Sequence, residues 1–329
     1  MAEPESLRDR AIQRGISVQR FNRGLLRRIA ERENEKLFKA IEKRIKLAIR
    51  AARRRGPLVA TERNQTVQQR LNVVSRITRN RLNQEAGEIY DEVLELAKQE
   101  RDRQEAMLIA VLGVKIKHIT DAEVERLVDR HFNGAMLGQW LRHLATQTDE
   151  KIRRKVQAGL SADEEDEVIA ARVTDDRRSV FSETKAAIAA IASSATLSSV
   201  SRVQQAAWLK TDGQIDRYMW TAILDHRTCP TCMALDGKVF DVGRGPIPTA
   251  HLLCRCVAIP LLAGSEPPEV TSYSEWLTDQ PESIQNDILG ETKARLFRSG
   301  KFEIDEFVDN KGTPLSLDEM RGLDPDLMA

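Results

Sequence analysis

The residue types able to do chemistry concentrate in one short stretch. Asp225-His226-Arg227-Thr228-Cys229-Pro230-Thr231-Cys232 is followed 18 residues later by His251-Leu252-Leu253-Cys254-Arg255-Cys256. A C-x-x-C turn places two thiolates on one metal, because a tight turn with free N–H groups stabilises both sulfurs. The second half offers H-x-x-C-x-C, so five candidate ligands (Cys229, Cys232, His251, Cys254 and Cys256) compete for four tetrahedral positions. Cys229 and Cys232 form the first pair. The second pair stays open at this point: His251 with Cys254 repeats the three-residue step, Cys254 and Cys256 share one face of an extended piece, and His251 with Cys256 would leave Cys254 in the core. The chain's 4 cysteines all fall within this segment. In a long chain without an apolar signal core, that points to a metal before a disulfide framework, with plain buried thiols as the third reading. The expected ion is zinc in a structural role. A full complement of Cys and His ligands leaves no open position for water, and no H-E-x-x-H general-base motif is present.

Other chemistry-bearing residues are less specific. Asp225-His226 looks like part of a triad, but neighbours in a strand point to opposite faces. His118, His131 and His143 have no companions. No G-x-x-x-x-G-K-[ST] phosphate loop and no G-x-G-x-x-G fingerprint occurs, and Gly243-Arg244-Gly245-Pro246 reads as a loop. The chain is therefore expected not to be an enzyme. The alternative is a zinc-braced nuclease or a toxin acting on nucleic acid, which would need a second metal or an activated water.

The elements that must position this segment are mostly helical. With 31% charged and 5% aromatic residues, the composition suits long solvated helices. Phe21, Leu25 and Ile29, then Leu37, Ile41 and Ile45, recur every four residues, and Gly56-Pro57 breaks the run. Val67, Leu71, Val74, Leu82, Ala86, Ile89, Val93 and Leu96 form a second, near-heptad seam. A seam this narrow buries little surface alone, which favours a helical hairpin or arms packed on partner subunits. Residues 107–117 are ambiguous between a helix end and a strand. Thr120 with Glu123 and Ser161 with Glu164 fit capping boxes, and Gly134 and Gly159 fit stops. Helices are expected over 137–158 and 178–208. From 213 the pattern turns to strand: Tyr218, Trp220, Ala222 and Leu224 alternate, Leu235 to Phe240 reads as strand, Asp-Gly turn, strand, and Val257 to Ile259 as another strand. Gly264, Pro267 and Pro268 mark a linker, followed by one helix near 282–299 among loops. The fold class is mainly α with a small α+β zinc-binding segment. Long N-terminal helices lead to a bundle of shorter helices and then to a Cys/His-rich domain containing a β-hairpin. The expected divisions are 1–118, 119–263 with the Cys/His-rich segment at 220–260, and 264–329.

Net charge is +1, which conceals an asymmetry. Residues 1–60 hold 17 Lys/Arg against 7 Asp/Glu, whereas 264–329 hold 6 against 15. The basic front, with Lys43, Arg44, Lys46, Arg50, Arg53, Arg54 and Arg55, could meet DNA phosphates or an acidic protein surface. The absence of aromatic interleaving argues against stacking on single strands. No run approaches the length of a membrane span.

Trp220-Thr-Ala-Ile-Leu-Asp225, Thr228-Cys229-Pro230-Thr-Cys232, Leu235-Asp236-Gly237 and His251 through Cys254-Arg255-Cys256 resemble the signature of the phage Mu F-like head morphogenesis family. Phe132-Asn133-Gly134 and Trp140 fit that family's helical half. The stretch from Tyr273-Ser-Glu-Trp276-Leu277 to Leu296 is similar to an extension that often follows it. The resemblance covers about 120–262 and implies a minor capsid protein, present in few copies. Its partners would be the portal protein, other head proteins and genomic double-stranded DNA, in head assembly, DNA packaging or ejection. It would reside in the virion, in the capsid interior or at the portal vertex, and in the host cytoplasm during assembly. The same domain occurs in phage-borne toxins with a toxin domain fused downstream. The 66 residues after 263 are acidic and carry no recognisable catalytic set, which disfavours that variant.

Overall fold

The computed structural model describes residues 24, 35–53, 60–113, 116–175, 178–309 and 312–323. Among these, the chain runs α1 (Glu35–Arg53), α2 (Ala60–Leu112), α3 (Asp121–Val128), α4 (Leu137–Ser161), α5 (Asp166–Thr174), α6 (Val180–Leu209), β1 (Ile215–Thr221), α7 (Pro230–Leu235), β2 (Val239–Asp241) and β3 (Val257–Leu262). A tail follows with α8 (Tyr273–Thr278), α9 (Glu282–Leu289), α10 (Glu291–Arg298), a 3-10 turn (Ile304–Phe307) and α11 (Leu317–Leu323). The protein is mainly helical with one small antiparallel sheet, as its patterning predicts. Phe21, Leu25, Ile29 and Gly56-Pro57 lie outside the described residues, as does the side chain of Leu37.

The chain divides into two compact units. One holds Val128–Thr196 with the segment ending at Leu96; the other holds Ala97–Leu127 and the chain from Leu197 onward. In the first unit, the expected seam is buried within the chain. Ile41, Ile45 and Ile49 of α1 and Val67, Leu71 and Val74 of α2 pack with Ile152 and Val156 of α4, Ile169 and Val173 of α5, and Phe181. The reading of α1 and α2 as arms awaiting partner subunits is thereby revised over these positions, because α4 and α5 supply the apolar faces that a lone hairpin lacks. Arg153 of α4 reinforces this packing. It pairs with Asp149 at 3.1 Å and donates to Gln68, Asn72 and Ser75 on α2 at 2.7–2.9 Å. Further along the seam, Leu82, Ile89 and Val93 are buried as expected. At the expected Ala86 turn, however, it is Glu85 that is buried, paired to Arg81 at 2.6 Å.

Two helix-end expectations change. The Thr120–Glu123 capping box forms, with Thr120 N–H donating to the Glu123 carboxylate at 2.8 Å and Glu123 N–H to Thr120 Oγ1 at 3.3 Å. The Ser161–Glu164 box does not form, since Ser161 is the last residue of α4 and Glu165 caps α5. Gly159 is not a stop but a contact point. A Cβ there would meet Ile169 Cγ1 at 2.4 Å, so only glycine lets α5 lie this close to α4. The ambiguous 107–117 stretch continues α2 to Leu112 and ends at Gly113 with φ +69.

α6 is long and apolar enough to cross a membrane by length and composition, yet 67% of its most apolar window is buried within the protein, as in a core helix.

In the second unit the strand order is β2-β1-β3, all antiparallel. This corrects the expected local hairpin over Leu235 to Phe240. Leu235 ends α7, and β2 pairs with β1 instead, Met219 lying opposite Val239 and Tyr218 opposite Phe240. The central strand β1 buries Tyr218, Met219 and Trp220 in succession, since packing covers both of its faces. The tail is more helical than expected. Its single predicted helix is broken into α9 and α10 by Gly290 at φ +78, and α8, α11 and the 3-10 turn add to it.

Candidate metal centre

The sheet delivers both halves of the Cys/His segment to one place. β1 ends at Thr221, and its last turn is tied to the chain beyond α7 by Trp220 N–H to Lys238 O and Gly237 N–H to Trp220 O, both at 2.9 Å. Everything between must return on itself, which makes 222–236 a closed loop. Cys229 sits at the N-cap of α7 in extended conformation, and Pro230 follows at the first helical position. Proline suits that position because its missing N–H would have no helical partner. The turn aims the Cys232 backbone N–H at the Cys229 sulfur. The second half arrives just before β3. Cys254 N–H donates to His251 O at 3.2 Å, closing a turn in which Leu253 takes the left-handed φ of +61. That conformation is rare for a leucine, and the side chain is left exposed. The Cys256 backbone N–H is aimed at the Cys254 sulfur, repeating the arrangement of the first turn.

The ligand atoms of Cys229, Cys232 and His251 lie within 4.8 Å of one another, and so do those of Cys232, Cys254 and Cys256. Cys232 is common to both groups. Its sulfur is 3.1 Å from His251 Nε2 and 3.7 Å from the Cys254 sulfur. All four cysteines are free thiols, and Cys232, Cys254 and Cys256 are buried with Trp220 and Ala222. His251 Nδ1 lies 2.7 Å from Leu252 O. With Nδ1 turned to that carbonyl, Nε2 faces the thiols, the orientation that a metal-binding imidazole needs.

The electrostatics fit a cation site. Cys229 is held down to about 4, first by the Cys232 thiol that donates to it and then by His251. Cys254 is likewise depressed, first by Cys232 and then by Cys256, while Cys232 is pushed up because it keeps its proton between Cys229 and Cys254. His251 is raised to about 10, first by Cys229 and then by Cys254. Cys229 and Cys254 thus favour the thiolate beside a protonated His251, whereas Cys232 and Cys256 favour the thiol. A divalent ion would supply that positive charge more fully. This set of soft sulfur and imidazole donors could hold a metal ion.

Around the cluster, carboxylates act as fasteners. Asp225 accepts from both guanidinium nitrogens of Arg255 at 2.6 Å and from Arg227 N–H at 2.9 Å. The Arg255 pairing holds the Asp225 carboxyl down at about 2. His226 is exposed, and the Asp225 carboxylate turns to Arg255 rather than to an imidazole. Asp236 accepts from Ala222 N–H at 2.6 Å and from Tyr273 N–H at 2.7 Å, and burial raises its pKa. Tyr273, at the start of α8, also donates its hydroxyl to Asp225 O at 2.8 Å. Thr231, inside the C-x-x-C turn, donates to Gly312 O at 2.6 Å. Sequence reasoning read Asp236 only as a turn residue and gave no role to Thr231, Arg255 or Tyr273. Their signal was their position inside or next to the quoted motifs.

The other singled-out residues lie apart from this cluster. His118 pairs with Glu105 at 2.8 Å and His143 with Gln147 at 2.9 Å. On α1, Lys43 and Arg44 are exposed, and Lys46 pairs with Glu42 at 2.8 Å. Arg50 and Arg53 reach Asp166 of α5 at 3.8 and 3.1 Å. Arg54 and Arg55 lie outside the described residues.

Comparison with known proteins places the Cys/His cluster inside a recognised region. Residues 150–259 match the family described as phage Mu protein F like protein, a stretch that includes all five candidate ligands. An uncharacterized protein of Haemophilus influenzae is 34% identical over 103 residues, covering 26% of this chain and 23% of the relative. The chain therefore spans less than a quarter of that relative's length. No solved structure matches.

Proposed function

We propose that this chain, whose residues 150–259 belong to the phage Mu protein F like family, is a structural protein of phage head morphogenesis, stationed with the portal and braced by one zinc ion. The observation that carries this reading is the coincidence of family region and cluster. The matched stretch ends within β3, and all five candidate Cys and His ligands lie within it, in two groups that share Cys232. The motif carboxylates support a structural role. Asp225 is occupied by Arg255 and Asp236 by two backbone N–H groups, so neither is placed to activate a water. Zinc at this position would contribute on the order of 10 kcal/mol to a segment with a small core of its own.

In this reading 1–118 serves assembly contacts, 119–263 is the family domain, and 264–329 is an acidic extension. The exposed Lys43 and Arg44, with Lys46, Arg50 and Arg53 of α1 and the next two residues in sequence, Arg54 and Arg55, are the basic residues offered to duplex DNA or to an acidic portal surface. Counter-ion release makes such contacts strongly dependent on salt. Binding that does not change with salt would sink that assignment. In this reading the protein works in the virion and in the host cytoplasm while heads assemble, and takes part in DNA packaging or ejection.

The test is co-expression with the cognate portal and major head proteins, followed by sedimentation. The chain is expected to travel with head particles in few copies and to need the portal for incorporation. A chain that stays at the top of the gradient with portal-containing particles present contradicts the reading.

A further inference from the structure

We infer that the metal is held by Cys229, Cys232, His251 and Cys254, and that Cys256 is a fifth thiol that belongs to the sheet and does not coordinate. This rests on the metal-site reading above and decides what spacing left open. Cys232, Cys254 and Cys256 are equally close to one another, and Cys229, Cys232 and His251 form the trio that spans both halves of the motif, their ligand atoms all within 4.8 Å of one another. The fourth donor must close a tetrahedron on them.

Cys254 does this by distance. Two thiolates about 2.3 Å from one tetrahedral zinc are about 3.8 Å apart, and the Cys232 and Cys254 sulfurs already stand 3.7 Å apart. Cys254 is also tied to His251 through the backbone, so it meets two members of the trio. The turn that closes from Cys254 N–H to His251 O holds these two ligands on one rigid piece. Cys256 meets one member, Cys232, and otherwise Cys254 and the indole of Trp220.

Chain connectivity explains the difference. Val257 pairs with Thr221 and Ala258 with Trp220 in the sheet register. Cys256 immediately precedes that pairing and shares the face of Ala258, two residues on. Its sulfur is therefore placed by the strand, in the buried cluster that also holds Trp220 and Cys254. Cys254 stands before the strand begins, on the turn, and is free to follow His251.

The test uses the full chain with cobalt(II) and zinc as probes. Zinc affinity is measured by competition with a chromophoric chelator for the unsubstituted chain, C254A and C256A. X-ray absorption counts the donors on the unsubstituted zinc form. Expected are three sulfurs and one nitrogen. C256A should keep its affinity within about 3-fold and its cobalt spectrum, and C254A should lose about 100-fold or more. Four sulfurs would overturn the assignment, whatever the variants do. So would a C256A chain that loses affinity as C254A does. An unsubstituted chain that takes up neither metal would remove the metal-site reading as well, an outcome distinct from binding with the wrong donors.

Discussion

The Thr231 hydroxyl, from the middle of the C-x-x-C turn, donates to the Gly312 carbonyl 81 residues later in sequence at 2.6 Å. The same turn continues into Met233, which is buried with Tyr273, Leu277 and Ile304. The cysteine turn is thus also the seat of the C-terminal extension. Thr231, Met233, Asp236 and Asp225 tie the ligand loop to Gly312, to Tyr273 and Leu277 of α8 and to Ile304.

Metal removal should therefore loosen more than the ligands. Chelation of the purified chain is expected to speed amide hydrogen exchange in the tail helices α8 to α10 as well as in 222–256, while α4 and α5 keep their protection. Exchange confined to 222–256 would contradict this coupling.

Gly312 tests the seat without touching a ligand. It has φ +79, and a Cβ there would lie 3.1 Å from Thr231 Cγ2. Gly312→Ala combines a left-handed alanine with a close contact, and about 1–2 kcal/mol of destabilisation is expected, read as a lower denaturant midpoint. Zinc content should be unchanged.

Asp236 joins the end of β1 to the start of α8 through Ala222 N–H and Tyr273 N–H. Asp236→Ala leaves both donors without their acceptor in a partly buried place. A loss of about 3 kcal/mol in chemical denaturation is expected. A change below about 0.5 kcal/mol would mean that water replaces the carboxylate at no cost.

The Asp225–Arg255 pair carries a pH dependence with a definite sign. Arg255 holds the Asp225 carboxyl at about 2 in the folded chain, below its unfolded value near 3.9. The stabilisation, about 2 kcal/mol, is present above pH ~4 and is lost as pH falls through the folded value. Asp225→Asn should be less stable than the unsubstituted chain at pH 7, and the difference should shrink as pH is lowered towards 2. A constant difference would show that charge is not what the pair contributes.

Gly159→Ala probes the other unit. The added methyl would stand 2.4 Å from Ile169 Cγ1, and overpacking of this kind costs about 1–3 kcal/mol. The melting temperature should fall, with metal content intact.

Much of this was legible in residue order. Periodicity located the long helices, and the buried positions Leu71, Val74, Ile89 and Val93 are the seam it predicts. The cysteine spacing located the cluster, and the Thr120–Glu123 box formed because its partners are local. What was missed depends on distant chain. Leu235 to Phe240 reads as a hairpin, yet β1 competes for β2 and takes it. Gly159 reads as a stop because its reason, Ile169, lies on the next helix. Asp225 beside His226 reads as no triad, but its actual partner, Arg255, arrives from 30 residues away. The choice among five ligands could not be made from spacing, since it turns on where the strand begins.

The most direct test of the central claim is metal content by plasma mass spectrometry on the purified full chain, with thiol titration in parallel. The account predicts about one zinc per chain and thiols that react only after chelation. A chain without metal whose cysteines are paired or freely reactive would contradict it, and the brace that organises residues 220–320 would have to be something other than a metal ion.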